Sequence, residues 1–287
     1  MPARALSLLV VLAALAACER PGASPAAAPP DSAGASAAIA YAIPHDSTIG
    51  DDSLGRAIRR GRALLAHTRD SLPRNVGNAL TCTSCHPDDG TRPNAMPWVG
   101  VYGTFPQYRS RSASVQIIED RINDCFERSM NGTALARDGR DMRDIIAYMA
   151  FLSRGVPVGE RVPGQGLPRL SLTTGDSAAG TAVFAAKCAR CHGASGEGSV
   201  GPPVWGPQSY NIGAGMSRLR TASAFIRYNM PQDLRGTLTD REAVDVAAYI
   251  NAHPRPDLPG KERDWPNGDP PPDVAYPTKA AAARSAR

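Results

Sequence analysis

Apolar positions recur at helical spacing in several stretches of this chain, and nowhere do they alternate long enough to make a strand. Residues 51–67 place Leu54, Ile58, Leu64 and Leu65 near one face, with Asp52 and Ser53 as candidate caps. Residues 141–152 repeat the pattern with Met142, Ile145, Ile146, Met149 and Leu152. A further helix is expected over about 176–187, and another starts at Thr239, where Thr239 and Glu242 form a capping-box pair. Val115, Ile118, Ile122, Cys125 and Phe126 make one more apolar stripe. Two of these helices share wording: Asp144-Ile145-Ile146-Ala147-Tyr148-Met149 against Asp245-Val246-Ala247-Ala248-Tyr249-Ile250. The chain therefore reads as all-α with substantial loops, built from one repeated unit. A Pro- and Gly-rich linker at 156–172 separates the two copies.

Each copy carries a pentapeptide after its first helix: Cys82-Thr83-Ser84-Cys85-His86 and Cys188-Ala189-Arg190-Cys191-His192. C-x-x-C-H is the attachment signature of c-type haem, in which the thiols add to the vinyl groups and the histidine ligates iron. A lone C-x-x-C would also suit a redox dithiol or half of a zinc site, but two copies each closed by His favour haem. Cys82, Cys85, His86, Cys188, Cys191 and His192 are thus the cofactor-binding residues, with His86 and His192 proximal. Initial helix, haem motif and closing helix together resemble the class I cytochrome c fold, twice in tandem. The low aromatic content of 6% fits a core in which porphyrin replaces side chains.

The amino terminus points to export. Arg4 precedes an apolar run from Ala5 to Ala17, too short to span a bilayer and of signal-peptide size. It ends in Leu15-Ala16-Ala17-Cys18, which resembles a bacterial lipobox, so Cys18 is the expected lipidated first residue of a periplasmic, membrane-tethered protein. The resulting division is leader 1–18, flexible tether 19–50, haem domain 51–155, linker 156–172, haem domain 173–255 and tail 256–287. No nucleic-acid partner is expected. The net charge of +5 includes the leader and argues for no partner class.

Six cysteines are present; four belong to the haem motifs and one is Cys18, which leaves Cys125 unpaired. Periodicity alone makes it a core thiol. The first domain needs a distal ligand, however, and its candidates are Met96, Met130, His67 and Cys125. For the second domain the candidates are Met230 and Met216. Met230-Pro231 stands where class I cytochromes place their axial methionine. His45, His67 and His253 read as surface or loop residues.

Residues 76–155 resemble the thiosulfate dehydrogenases, dihaem enzymes that couple two thiosulfates into tetrathionate. The resemblance rests on Asn78-Ala79-Leu80-Thr81, Pro97-Trp98-Val99-Gly100-Val101-Tyr102-Gly103, Phe105-Pro106-Gln107-Tyr108-Arg109-Ser110-Arg111-Ser112 and the segment around Cys125. In the second half it is looser, over Phe225-Ile226-Arg227-Tyr228-Asn229-Met230-Pro231. It implies that Cys125 is the distal iron ligand at the substrate site, with Arg111, Arg121 and Ser129 beside it. It also implies an electron-accepting cytochrome, soluble or membrane-associated, as partner. The chemistry agrees: two dianions repel, and fixed guanidinium charge from Arg109, Arg111 and Arg121 can offset that. A thiolate lowers the potential of its iron and is itself a sulfur nucleophile. The same parts would serve a tetrathionate reductase. The alternatives are a dihaem carrier without a substrate and the dihaem subunit of a Sox-type thiosulfate complex.

Overall fold

Two helix crossings, each closed on a glycine, organise the chain. The computed structural model describes residues 41–285; Cys18, the leader and most of the expected tether lie outside the described residues. In the first half, α1 (Ser53–Ala66) leads to the first cysteine motif. A short antiparallel ribbon follows, β1 (Gln107–Arg109) with β2 (Ser114–Gln116), in the register Tyr108 opposite Val115. Next come α2 (Ile118–Asp124) and the closing helix α3 (Arg140–Phe151). The second half repeats the order with α4 (Ser177–Val183), the second motif, α5 (Leu219–Asn229) and α6 (Asp240–Ala252). The ribbon is the exception to an all-helical reading. Three residues per strand are too few to show alternation, so the pattern was invisible in sequence.

The crossings explain the repeated wording. A methyl group on Gly61 of α1 would sit 1.9 Å from the Asp144 carbonyl oxygen of α3, and one on Gly180 of α4 would sit 2.1 Å from that of Asp245 in α6. Only glycine lets the two backbones approach so closely. The aspartates anchor each crossing: Arg60 reaches Asp144 Oδ2 at 2.6 Å and also holds Asp141, while Asp245 Oδ1 accepts the Asp176 N–H at 2.8 Å. Caps fall where expected, with Asp52 Oδ1 accepting from Gly55 N at 2.7 Å and the Thr239–Glu242 box closing α6.

Each half has its own apolar core. The first contains Ile58, Leu65, Phe126, Met142, Ile145 and Leu152; the second contains Phe184, Trp205, Val246 and Ile250.

The three segments outside the expected haem domains, the end of the tether, the linker and the tail, pack against the body. Before α1, Tyr41 and Ile49 lie against the first core, the Tyr41 hydroxyl donates to the Leu152 carbonyl, and Asp46 pairs with Arg62 at 2.6 Å. The linker buries Val162, and its Gly164 and Gly166 carbonyls accept from Asn94 N at 2.7 Å and Met96 N at 3.1 Å. The tail buries Trp265, Tyr276 and Thr278 against the body, and Asp273 holds Arg218 at 2.8 Å. Proline and glycine set backbone shape in these segments without preventing burial of the few large apolar side chains they carry. Among the described residues no helix is long and apolar enough to cross a membrane.

Candidate active site and haem centres

The first motif folds as a tight turn, with His86 N bonded to the Cys82 carbonyl at 3.0 Å and Cys82 N to Thr68 Oγ1 at 3.1 Å. Burial pushes both thiols, Cys82 and Cys85, up to about 12. Such surroundings suit neutral thioethers better than thiolates. His86 Nδ1 donates to the Met96 carbonyl at 2.6 Å, which leaves Nε2 free as a ligand atom. Burial lowers His86 to about 4, so the imidazole is neutral, the form that binds iron. The accepting loop is itself constrained: Asn94 and Met96 hold φ of 60° and 54°, a conformation costly for side-chain-bearing residues. The linker bonds above hold it there, and Asn229 Nδ2 of α5 adds a bond to the Asn94 carbonyl at 2.9 Å.

Cys82, Cys85 and His86 line one cavity together with Cys125, Ser129 and Met130. Cys125 gets there because α2 does not simply continue. After Asp124 the chain widens into a π turn, Cys125–Ser129, with Met130 N bonded to the Cys125 carbonyl at 2.9 Å. Such turns re-aim side chains and are frequent at functional sites. Arg121, one turn back, donates from Nη1 to Cys125 Sγ at 2.9 Å. Of the four sequence candidates for the distal position, Met96 contributes its carbonyl to His86 and His67 caps α1. Cys125 and Met130 remain in the cavity, and Cys125 carries the guanidinium.

The three arginines named from sequence share one property: among the described residues none has a carboxylate within ion-pair distance. Arg109 has only Gln107 Oε1 at 3.3 Å, Arg111 only the Gly213 carbonyl at 2.9 Å, and Arg121 the Cys125 sulfur. Burial lowers Arg109 and Arg111, and the neighbouring guanidiniums of Arg121 and Arg128 respectively lower them further. The electrostatic interaction with Cys125 raises Arg121. Asp124 acts on all three guanidiniums, and Asp264 on Arg111, only through space, so their charges are not held in ion pairs. Arg128 is the contrast. Its fork binds Asp264 at 2.8 and 2.9 Å, and burial against its charge is outweighed by that carboxylate.

At the second centre the geometry repeats. His192 Nδ1 bonds to the Pro202 carbonyl at 2.7 Å, ten residues on, as His86 does with Met96. Burial pushes the Cys188 thiol up to about 11. Met230 packs in the second core with Cys188, whereas Met216 packs against the first core. His253 is not a plain surface residue; it stacks on Trp205 with ring centroids 4.0 Å apart. Both sites thus offer a half-buried thiol pair and one imidazole held by a backbone carbonyl, and they fit covalently held haem. Sequence reasoning missed Arg128, Asn211, Asp264 and Trp265. Arg128 could have been found, seven residues after Arg121 on the same helical face; the others join the site only through tertiary contact.

The cytochrome c domain of the SoxA/TsdA family matches residues 74–158, and the model of cbb3-type cytochrome c oxidase subunit III matches 175–250. A thiosulfate dehydrogenase of Psychrobacter arcticus is 44% identical over 240 residues, 81% of this chain and 73% of that one. One of Allochromatium vinosum is 46% identical over 230 residues, 76% of this chain and 85% of that one. The solved structure of thiosulfate dehydrogenase TsdBA from Marichromatium purpuratum superposes with a TM-score of 0.73 at 39% identity, covering 77% of this chain and 50% of that one. With two haem-c domains in tandem and relatives of this identity over most of its length, the chain belongs to the thiosulfate dehydrogenase family of dihaem c-type cytochromes.

Proposed function

We propose that the protein oxidises two thiosulfate ions to tetrathionate at the Cys125 cavity and hands the two electrons to an external cytochrome. One sulfur–sulfur bond forms, and the net reaction releases two electrons and no proton. When bound, the two haems each take up one electron. The observation that carries the reading is the Arg121 contact to Cys125 Sγ at 2.9 Å, in the cavity shared with the first motif. In this reading His86 and Cys125 are the ligands of the first iron, His192 and Met230 those of the second. Arg121 holds the sulfur of Cys125 through its hydrogen bond and faces the anion. Arg109 and Arg111 supply uncompensated charge that offsets repulsion between two dianions. The Ser129 side chain lines the same cavity and is a hydrogen-bond donor for a thiosulfate oxygen.

Replacing Cys125 by Gly tests this. The variant should keep two covalent haems by intact mass, lose the weak near-infrared thiolate band of the oxidised protein, and form almost no tetrathionate with an artificial acceptor. Tetrathionate formation near the parent rate would make Cys125 a core thiol, and a parent protein that forms none would be a carrier.

The leader and Cys18 support a periplasmic location with a lipid tether. Fractionation of the full chain should find it with membranes, and the Cys18→Ser variant should be soluble. Equal solubility of both removes the tether.

A further inference from the structure

The C-terminal segment does more than cover the body. Asp264 and Trp265 sit next to each other on it and engage two guanidiniums of the first half, those of Arg128 and Arg111. Asp264 takes the fork of Arg128, and the Tyr276 hydroxyl braces Asp264 from behind. Trp265 engages Arg111 twice: its N–H donates to the Arg111 carbonyl at 2.8 Å, and its ring lies 4.9 Å from the Arg111 guanidinium carbon. Arg111 and Arg128 also share the Gly213 carbonyl, at 2.9 and 3.5 Å.

Trp265 makes these contacts from an unfavourable backbone. Its φ is 52°, rare for a bulky residue, and it is only 2% exposed. Glycine or asparagine would take that conformation at lower cost. An indole held there against strain presents its ring face to a guanidinium that makes no ion pair among the described residues. The ring face stabilises the Arg111 charge without neutralising it, as a carboxylate would. That difference matters at an anion site: a salt bridge would consume the charge that substrate needs.

We propose that Trp265 is a positioning residue for thiosulfate, holding the Arg111 guanidinium in place beside Arg128 while leaving its charge available. Asp264 in turn fixes Arg128 behind it. The proposal rests on the thiosulfate reading above. It makes the tail part of substrate affinity.

The test uses the full-length dihaem protein and the variants Trp265→Leu, which fills the volume without a π face, and Trp265→Phe, which keeps one. Trp265→Leu should raise KM for thiosulfate about five- to tenfold with little change in kcat. Tetrathionate, which the oxidised protein cannot oxidise further, should bind it more weakly by a similar factor in calorimetry. Trp265→Phe should stay near the parent in both. The near-infrared thiolate band should persist in all three, which separates loss of aim from loss of fold. Parent-like KM and binding in Trp265→Leu overturn the proposal, as does an equal loss in Trp265→Phe. If Trp265→Leu loses the thiolate band, Trp265→Phe alone decides: weakened binding with the band intact overturns the proposal, parent-like binding upholds it. A parent protein that neither forms nor binds tetrathionate would overturn the thiosulfate reading instead.

Discussion

Met230 and Met216 are separated by fourteen positions and look alike on paper, yet they belong to different cores. Met230 lies with Cys188, while Met216 leans on the first half and lends its carbonyl to Asn251 Nδ2 at 3.2 Å. A residue's chemistry here depends on which cavity its side chain enters. Met230→Gly should therefore remove the methionine signature of one haem and leave the thiolate band of the other intact. Thiosulfate should still reduce the protein by one haem equivalent, while steady-state turnover falls by an order of magnitude or more. Stopped-flow spectra at the two haems separate these outcomes. If Met216→Gly produces them and Met230→Gly does not, the ligand assignment is reversed. The arginines make the same point. Arg109, Arg111, Arg121 and Arg128 are four copies of one side chain, and what lies across the fold tells them apart: Asp264 and Asp124 beside Arg128, the Cys125 sulfur beside Arg121.

Among the elements, α6 shows how far local rules reach. Thr239 and Glu242 close its capping box, and Glu242 also accepts from Lys187 Nζ at 2.7 Å. The Lys187 contact, followed by the Thr239 N–H, holds the Glu242 carboxyl down at about 2. A depressed folded-state value means the stabilisation is fully present above the ordinary glutamate range near 4.3 and is lost as pH falls from there towards 2. Glu242→Gln should cost the second domain about 1 kcal/mol at pH 7 and flatten its stability profile between about pH 5 and pH 2. Thermal unfolding followed at the second haem checks both. An unchanged slope would mean that the box frays in solution. Beyond its cap, α6 is placed by Gly180, whose missing side chain allows the crossing with α4. The same device at Gly61 sets α1 on α3.

For the whole molecule, the joint between the halves forms part of the site. Asn211, in the second half, donates to the Glu127 carbonyl at 2.8 Å, and Asn78 Nδ2 binds the Ser129 and Ser209 carbonyls at 2.8 and 3.1 Å. These bonds satisfy the backbone around the π turn that carries Cys125, where helical bonding is interrupted. In the other direction, Asn229 sits beside Met230 and holds the Asn94 loop whose Met96 carbonyl orients His86. The two haem sites are thus braced by one another's loops. A domain excised at the linker would lose the brace on the Asn94 loop, and removing the tail would free Arg111 and Arg128.

The haem residues were legible because their chemistry is local: two thiols and an imidazole within five residues need no tertiary context to be recognised. The long helices and their caps were legible for the same reason, since a 3.6-residue period and a box spanning four positions are written in neighbouring residues. The spare Cys125 followed from counting cysteines and from resemblance. Its partner Arg121 stood one helical turn away. What sequence could not supply were choices made between distant segments. Proline and glycine marked 156–172 and 256–287 as irregular, but whether irregular backbone is mobile depends on what Val162, Trp265 and Tyr276 find to bury against. The charge of an arginine is intrinsic, whereas its availability depends on whether a carboxylate lies across the fold. Tertiary structure decided that Asp264 spends its charge on Arg128 and that Trp265 meets Arg111 with a ring face, because those contacts join residues more than 130 positions apart.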